Sequence, residues 1–334
     1  MKRARALFIA LCVFGLACGS AATETEEPTD ANSANDTSTT ADTSTTDSTS
    51  ATDGTSAIDA PPPTYPPAPD KLGGDRPAPY YLPDTYTPEK SWPMLILLHG
   101  YSASGAVQNM YLGVSKHVDE REFILVVPDG TTNPQGLKFW NATPACCDNY
   151  GSGVDDQGYL VGLIDEAQQY FNVDAERVSL LGHSNGGFMS YRMACHAGDR
   201  IAAIASIAGS SYRDEADCPG TEPVSILQIH GTEDPTILYE GVPKLPTYAG
   251  YPGAEENASR WRARNQCSDT PDVMQALDME SIVVGDETDA THWTQCANGA
   301  QVALWKMNAV GHVPIFGPAF MPAVLDFLLG TDSP

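Results

Sequence analysis

The stretch Val178-Ser179-Leu180-Leu181-Gly182-His183-Ser184-Asn185-Gly186-Gly187, continuing through Phe188 to Ala194, decides how the rest of the chain is read. Val178 to Leu181 is a short apolar run closed by Gly182, the mark of a buried strand. Gly187 to Ala194 then has the composition of a helix. Between them Gly182-His183-Ser184-Asn185-Gly186 fits Gly-x-Ser-x-Gly. A serine on a tight strand-to-helix turn presents its hydroxyl clear of the sheet, and the two glycines let the turn close without Cβ clashes. The helix start that follows favours negative charge nearby. The five letters alone are common; their place between a strand and a helix gives them weight.

Outward from this turn, strand-like and helix-like segments alternate. Met94 to Leu98, Phe123 to Val127, Ile201 to Ile207, Val224 to Ile229 and Val302 to Met307 are short apolar runs. Val107 to Val118 has helical spacing, as do residues 154–171, where Leu160, Leu163, Ile164, Ala167 and Phe171 share one face behind Asp155 and Asp156. Ala319 to Leu329 is a last amphipathic stretch. This alternation predicts an α/β domain with a mostly parallel central sheet and helices on both faces.

A serine hydroxyl attacks a carbonyl only when a base takes its proton. Where such a turn works in an α/β sheet, the partners follow in the order serine, acid, histidine. Ile229-His230-Gly231-Thr232-Glu233-Asp234 follows an apolar run, and Asp234 is the expected acid with Glu233 its rival. Val310-Gly311-His312 follows the last run, which makes His312 the expected base. His183 lies inside the turn and His196 too close behind the helix to serve. An oxyanion needs two N–H donors. Asn185, next after the serine, supplies one, and Tyr101 in Leu98-His99-Gly100-Tyr101-Ser102 is expected to supply the other. These residues are the parts of an acyl-transfer site that needs no metal or organic cofactor. In Phe139 to Cys147, Trp140 is a candidate for stacking on substrate, and a disulfide-pinned structural loop is the competing reading of the segment.

His99 to Gly105, Phe139-Trp140-Asn141-Ala142-Thr143, Gly182 to Gly187, His230 to Asp234 and Gly311-His312 together resemble the polyhydroxybutyrate depolymerase family of esterases, which includes feruloyl and acetylxylan esterase-like members. The resemblance spans roughly residues 76–330. It implies an α/β-hydrolase fold and a carboxylic-ester hydrolase with Ser184, Asp234 and His312 as nucleophile, acid and base. Many members carry Trp-Pro after the catalytic histidine, whereas Val313-Pro314 stands here. The expected substrates are esters such as hydroxyalkanoate oligomers or polymer, with feruloyl or acetylxylan esters and a same-fold peptidase as alternatives. No separate polymer-binding domain is expected after the last helix.

The N-terminal region is a different material. Residues 1–18 place Lys2, Arg3 and Arg5 before the apolar run Ala6 to Ala17, the pattern of an export signal. Gly15-Leu16-Ala17-Cys18 resembles a bacterial lipoprotein box, with Cys18 the lipidated residue and ordinary secretion the alternative. Residues 19–70 are rich in Ser, Thr, Asp and Pro and are expected to be a disordered tether. The domain is expected over residues 71–334, and the protein outside the cytoplasm, at the cell surface, in the periplasm or secreted. The chain has 334 residues and a net charge of −25. Residues 19–60 account for −9 and residues 61–334 for −19. Such acidity excludes nucleic-acid binding and favours a neutral ester. Six cysteines in the domain suggest disulfides in an exported protein. Cys267 with Cys296 is the expected pair, and Cys146 and Cys147 are expected to bridge to Cys195 and Cys218 instead of to each other.

Overall fold

The computed structural model describes residues 64–330. The export signal with Cys18 and the greater part of the expected tether lie outside the described residues. Nine strands form the main sheet: β1 (Tyr80–Tyr81), β2 (Trp92–Leu98), β3 (Ile124–Val126), β4 (Val173–His183), β5 (Ala203–Ile207), β6 (Ser225–Gly231), β7 (Val273–Leu277), β8 (Thr288–Trp293) and β9 (Val302–Met307). Their spatial order is β1-β3-β2-β4-β5-β6-β9-β8-β7. The neighbours from β3 to β9 in that order are parallel, and β1, β8 and β7 add antiparallel edges. The fold is an α/β-hydrolase fold, as the alternation and the resemblance predicted.

Period-two alternation sends each strand's side chains to two cores. In β2, Met94, Ile96 and Leu98 join one apolar cluster and Leu95 and Leu97 the other. The first cluster packs under α2 (Asp156–Tyr170), α3 (Asn185–His196) and α4 (Ala254–Arg264). The second packs under α1 (Gly105–Leu112) and α5 (Phe320–Leu329). Asp155 caps α2 by accepting the Gly158 N–H, and Leu160, Leu163, Ile164 and Ala167 form its buried face. Each such leucine contributes roughly 1.5–3 kcal/mol by leaving water.

Two expectations are revised. The helix expected over Val107 to Val118 stops at Leu112, because Gly113 adopts a left-handed conformation (φ 70°) that caps it. Between Cys267 and Cys296 runs the antiparallel pair β7–β8, which extends the sheet. Cys267 does pair with Cys296, but Cys146 bonds to Cys147 across a cis peptide and Cys195 bonds to Cys218. The last two meet because the Gly220 N–H donates to the Cys195 carbonyl at 2.9 Å while Arg264 holds the Cys218 carbonyl. Cys195 and Cys218 thus satisfy each other and leave nothing for the adjacent pair to bridge to.

Candidate active site

Ser184 sits where β4 passes into α3, with φ 55° and ψ −117°. A β-branched or bulky residue rarely tolerates this backbone region, and strain of this kind concentrates at functional turns. The turn closes only because its flanks lack side chains. A Cβ at Gly182 would lie 2.1 Å from the Gly186 carbonyl oxygen, and one at Gly186 would lie 2.3 Å from the Leu98 oxygen. The Ser184 N–H donates to the Ile207 carbonyl at 2.7 Å, tying the turn to β5. A serine at a helix N-cap ordinarily turns its hydroxyl onto the helix. Ser184 makes no such bond, so its Oγ is free to face outward.

That hydroxyl meets His312. Ser184 Oγ lies 3.0 Å from His312 Nε2, and His312 Nδ1–H donates to Asp234 Oδ2 at 2.7 Å. With Nδ1 carrying the proton toward a carboxylate, Nε2 is left to accept from the serine. Asp234 is buried, and its Oδ1 accepts the N–H groups of Thr236 and Ile237. Burial pushes its carboxyl up, but hydrogen bonds from His230, His312 and the Ile237 N–H outweigh that and hold it well below the usual carboxylate range. Glu233, the rival acid, points into solvent.

Behind Asp234 runs a buried polar chain that the sequence pattern did not single out. His230 Nε2–H donates to the Ile237 carbonyl at 2.8 Å and lies 3.4 Å from Asp234 Oδ2. Its Nδ1 accepts from Gln228 Nε2, and Gln228 Oε1 accepts from the Tyr191 hydroxyl at 2.7 Å. Gln228 and His230 lie two residues apart on β6, hence on one face, and that spacing was the available signal.

The loop after β2 presses against the turn, since a Cβ at Gly100 would be 3.5 Å from Ser184 Cβ. His99 is buried, donates from Nδ1–H to the Gly100 carbonyl and accepts the Gly130 N–H at Nε2. Burial lowers its pKa and keeps it neutral. The N–H groups of Tyr101 and Asn185 have no acceptor among the described residues. Asn185 is itself held by its side chain, whose Oδ1 accepts the Trp140 N–H at 2.7 Å and whose Nδ2 donates to the Trp140 carbonyl at 2.9 Å. Cys146 Sγ lies 3.6 Å from the same Nδ2.

Trp140 corrects an expectation. Its ring is fully buried, with Nε1–H donating to the His99 carbonyl at 3.0 Å and Arg76 over one face. It is a strut between two loops and presents no surface to a ligand, as the structural reading of the disulfide-pinned segment had it. Asp156, buried under the same loop, accepts the Asn141 N–H and the Arg76 guanidinium at 2.6 Å each. Several large apolar side chains are exposed on the segment that follows His312 and elsewhere. Val313 is 61% and Ile315 59% exposed, as are Ile282 and Val284 on a neighbouring loop and Met110 on α1. One buried carboxylate, Glu280, fastens two of these segments by accepting the N–H groups of Ile282, Val283 and Ile315.

Similarity to known proteins follows the same arrangement. The chain is 28% identical over 238 residues to feruloyl esterase B of Piromyces equi, covering 69% of this chain and 41% of that protein. It is 25% identical over 244 residues to the bifunctional acetylxylan esterase/xylanase XynS20E of Neocallimastix patriciarum, covering 72% and 31%. The chain therefore spans less than half the length of either relative. Among solved structures, an acetyl xylan esterase from Aspergillus awamori superposes with a TM-score of 0.56 at 13% identity, covering 78% of this chain and 96% of that one, which is a likeness of fold. The model of the Esterase family, described as "Putative esterase", matches residues 70–312, from ahead of β1 to His312, and the chain belongs to that family.

Proposed function

We infer that the chain is a serine carboxylic-ester hydrolase working through an acyl-enzyme. The observation that carries this reading is the continuous hydrogen-bonded line from Asp234 through His312 to Ser184. Ser184 Oγ attacks the ester carbonyl while His312 Nε2 takes its proton. Asp234 stabilises the imidazolium and fixes its tautomer. The Tyr101 and Asn185 N–H groups, lacking other acceptors, receive the oxyanion. His312 then protonates the leaving alcohol, and water repeats the route to free the acid. The residues supply every proton transfer this cycle needs.

The substrate reading follows from surface chemistry. Exposed apolar side chains beside His312 suit a neutral, apolar ester, in keeping with hydroxyalkanoate oligomers or polymer. The feruloyl and acetylxylan esterase relatives favour a second reading, acyl esters of plant polysaccharides. Comparing kcat/KM on a hydroxybutyrate oligomer, methyl ferulate, acetylated xylan and a peptide amide separates these and the same-fold peptidase. This reading includes an export signal and a lipid anchor at Cys18, with ordinary secretion as the alternative; Cys18→Ala is expected to release a lipid-anchored protein from membranes. For the chemistry, Ser184→Ala is expected to abolish turnover of a p-nitrophenyl acyl ester and labelling by a fluorophosphonate. Wild-type turnover in that variant would sink the proposal.

A further inference from the structure

On the segment that carries His312, Val313 and Ile315 face solvent while Pro314 is buried. Hydrogen bonds from neighbouring elements hold it in place. The Tyr111 hydroxyl of α1 donates to the Pro314 carbonyl at 2.7 Å, the Ile315 N–H donates to Glu280, and the Ser281 N–H donates to the Ile315 carbonyl at 2.7 Å. One such bond from outside the segment reaches the peptide of His312 itself. His183 Nε2–H donates to the His312 carbonyl at 2.9 Å. His183 is the residue before Ser184, so this bond joins the serine's turn directly to the histidine's backbone.

We propose that His183 is a positioning residue for His312, setting the Ser184–His312 distance by holding the His312 carbonyl. The proposal rests on the reading of His312 as the base. Its geometry is tightly enclosed. The His183 ring lies 5.2 Å from the His312 ring and 5.7 Å from the Tyr111 ring, and only 7% of the residue is exposed. Because Nε2 faces a carbonyl, it carries the hydrogen, and Nδ1 is bare in the neutral ring. Burial favours that neutral form, with the pKa lowered to about 4. A neutral donor fixes the base without setting a second positive charge beside the imidazolium that forms during attack. Proton transfer across a 3.0 Å contact is sensitive to small displacements, and a misplacement near 1 Å costs on the order of a hundredfold in rate.

The test compares His183→Phe, His183→Gln and His183→Asn. Phe keeps a ring but has no donor. Gln can place an N–H near the position of Nε2, and the Asn amide stops short of the carbonyl. Phe and Asn are expected to lower kcat for a p-nitrophenyl ester by about 10- to 100-fold, with KM changed by less than about twofold, and Gln to recover most of the loss. Either Phe or Asn suffices should the other fail to fold. A second measurement is the downfield NMR resonance of the His312 Nδ1 proton, expected to stay sharp in wild type and Gln and to broaden in Phe and Asn. The decisive arm repeats the substitutions in a His312→Ala background, where residual activity should no longer respond to residue 183. Wild-type kcat in both donor-less variants overturns the proposal, as does an equal loss in the His312→Ala background. Wild-type activity in His312→Ala alone would instead overturn the reading of the base.

Discussion

Asp234 shows how one side chain is made dependable by its neighbours. It is buried, yet two backbone N–H groups and two imidazoles face it, so it remains charged and oriented. Asp234→Asn would keep the shape but favour the wrong tautomer of His312. The expected outcome is a loss in kcat of about 10³–10⁴ with little change in KM, read by steady-state kinetics. His183 gives a pH signature. Its pKa falls from 6.5 to about 4 in the folded chain, so between those values the unfolded state binds the extra proton. Stability is therefore full above pH 6.5 and falls as the pH drops toward 4. His99, His196 and His292 are shifted the same way and add to this slope. Urea midpoints across that range should fall less steeply in His183→Phe than in wild type. An unchanged slope would show that His183 titrates normally.

Elements explain what the sequence could and could not reveal. The parallel strands were legible because both faces are covered, which writes them as apolar runs such as Met94 to Leu98. Strands β7 and β8 were not. The residues of β7 lie near the edge and are mostly exposed, so Val273-Met274-Gln275-Ala276-Leu277 lacks a buried run, and Thr288 to Trp293 mixes polar and apolar residues. The disulfide Cys267–Cys296 spans this hairpin with a sequence separation of 29. Opening it by paired Cys→Ser substitution is expected to cost roughly 3–4 kcal/mol in the chain-entropy picture, measured by urea denaturation, with kcat nearly unchanged. The nucleophile turn was legible because its glycines are obligatory. Gly186→Ala would drive a methyl into the Leu98 carbonyl, and the expected result is a loss of several kcal/mol or failure to fold. Trp140 was misread because sequence cannot tell a buried ring from a ring lining a cleft; its burial comes from long-range partners, His99 and Asn185. The adjacent cysteines were misread for a similar reason, as Cys195 and Cys218 are brought together by contacts remote in sequence.

For the molecule as a whole, acidity limits the ligand more than it defines the reaction. Residues 61–334 carry −19, spread over 34 acidic and 15 basic side chains. A neutral ester gains nothing from this field, so kcat/KM for a p-nitrophenyl ester is expected to vary less than about twofold between low salt and roughly 0.5 M salt. An anionic polymeric ester should instead be hydrolysed faster as salt rises. A strong salt dependence with the neutral ester would mean that charge steers binding after all.

The fastening of the apolar loops by Glu280 has a bearing on how such enzymes diverge. Glu280 grips peptide N–H groups at Ile282, Val283 and Ile315, and a peptide N–H is the same whatever side chain its residue bears, proline aside. Mutation at these three positions can therefore rewrite this exposed surface while its backbone scaffold is inherited intact. A lineage, or a directed-evolution library, can vary that surface without renegotiating the fold.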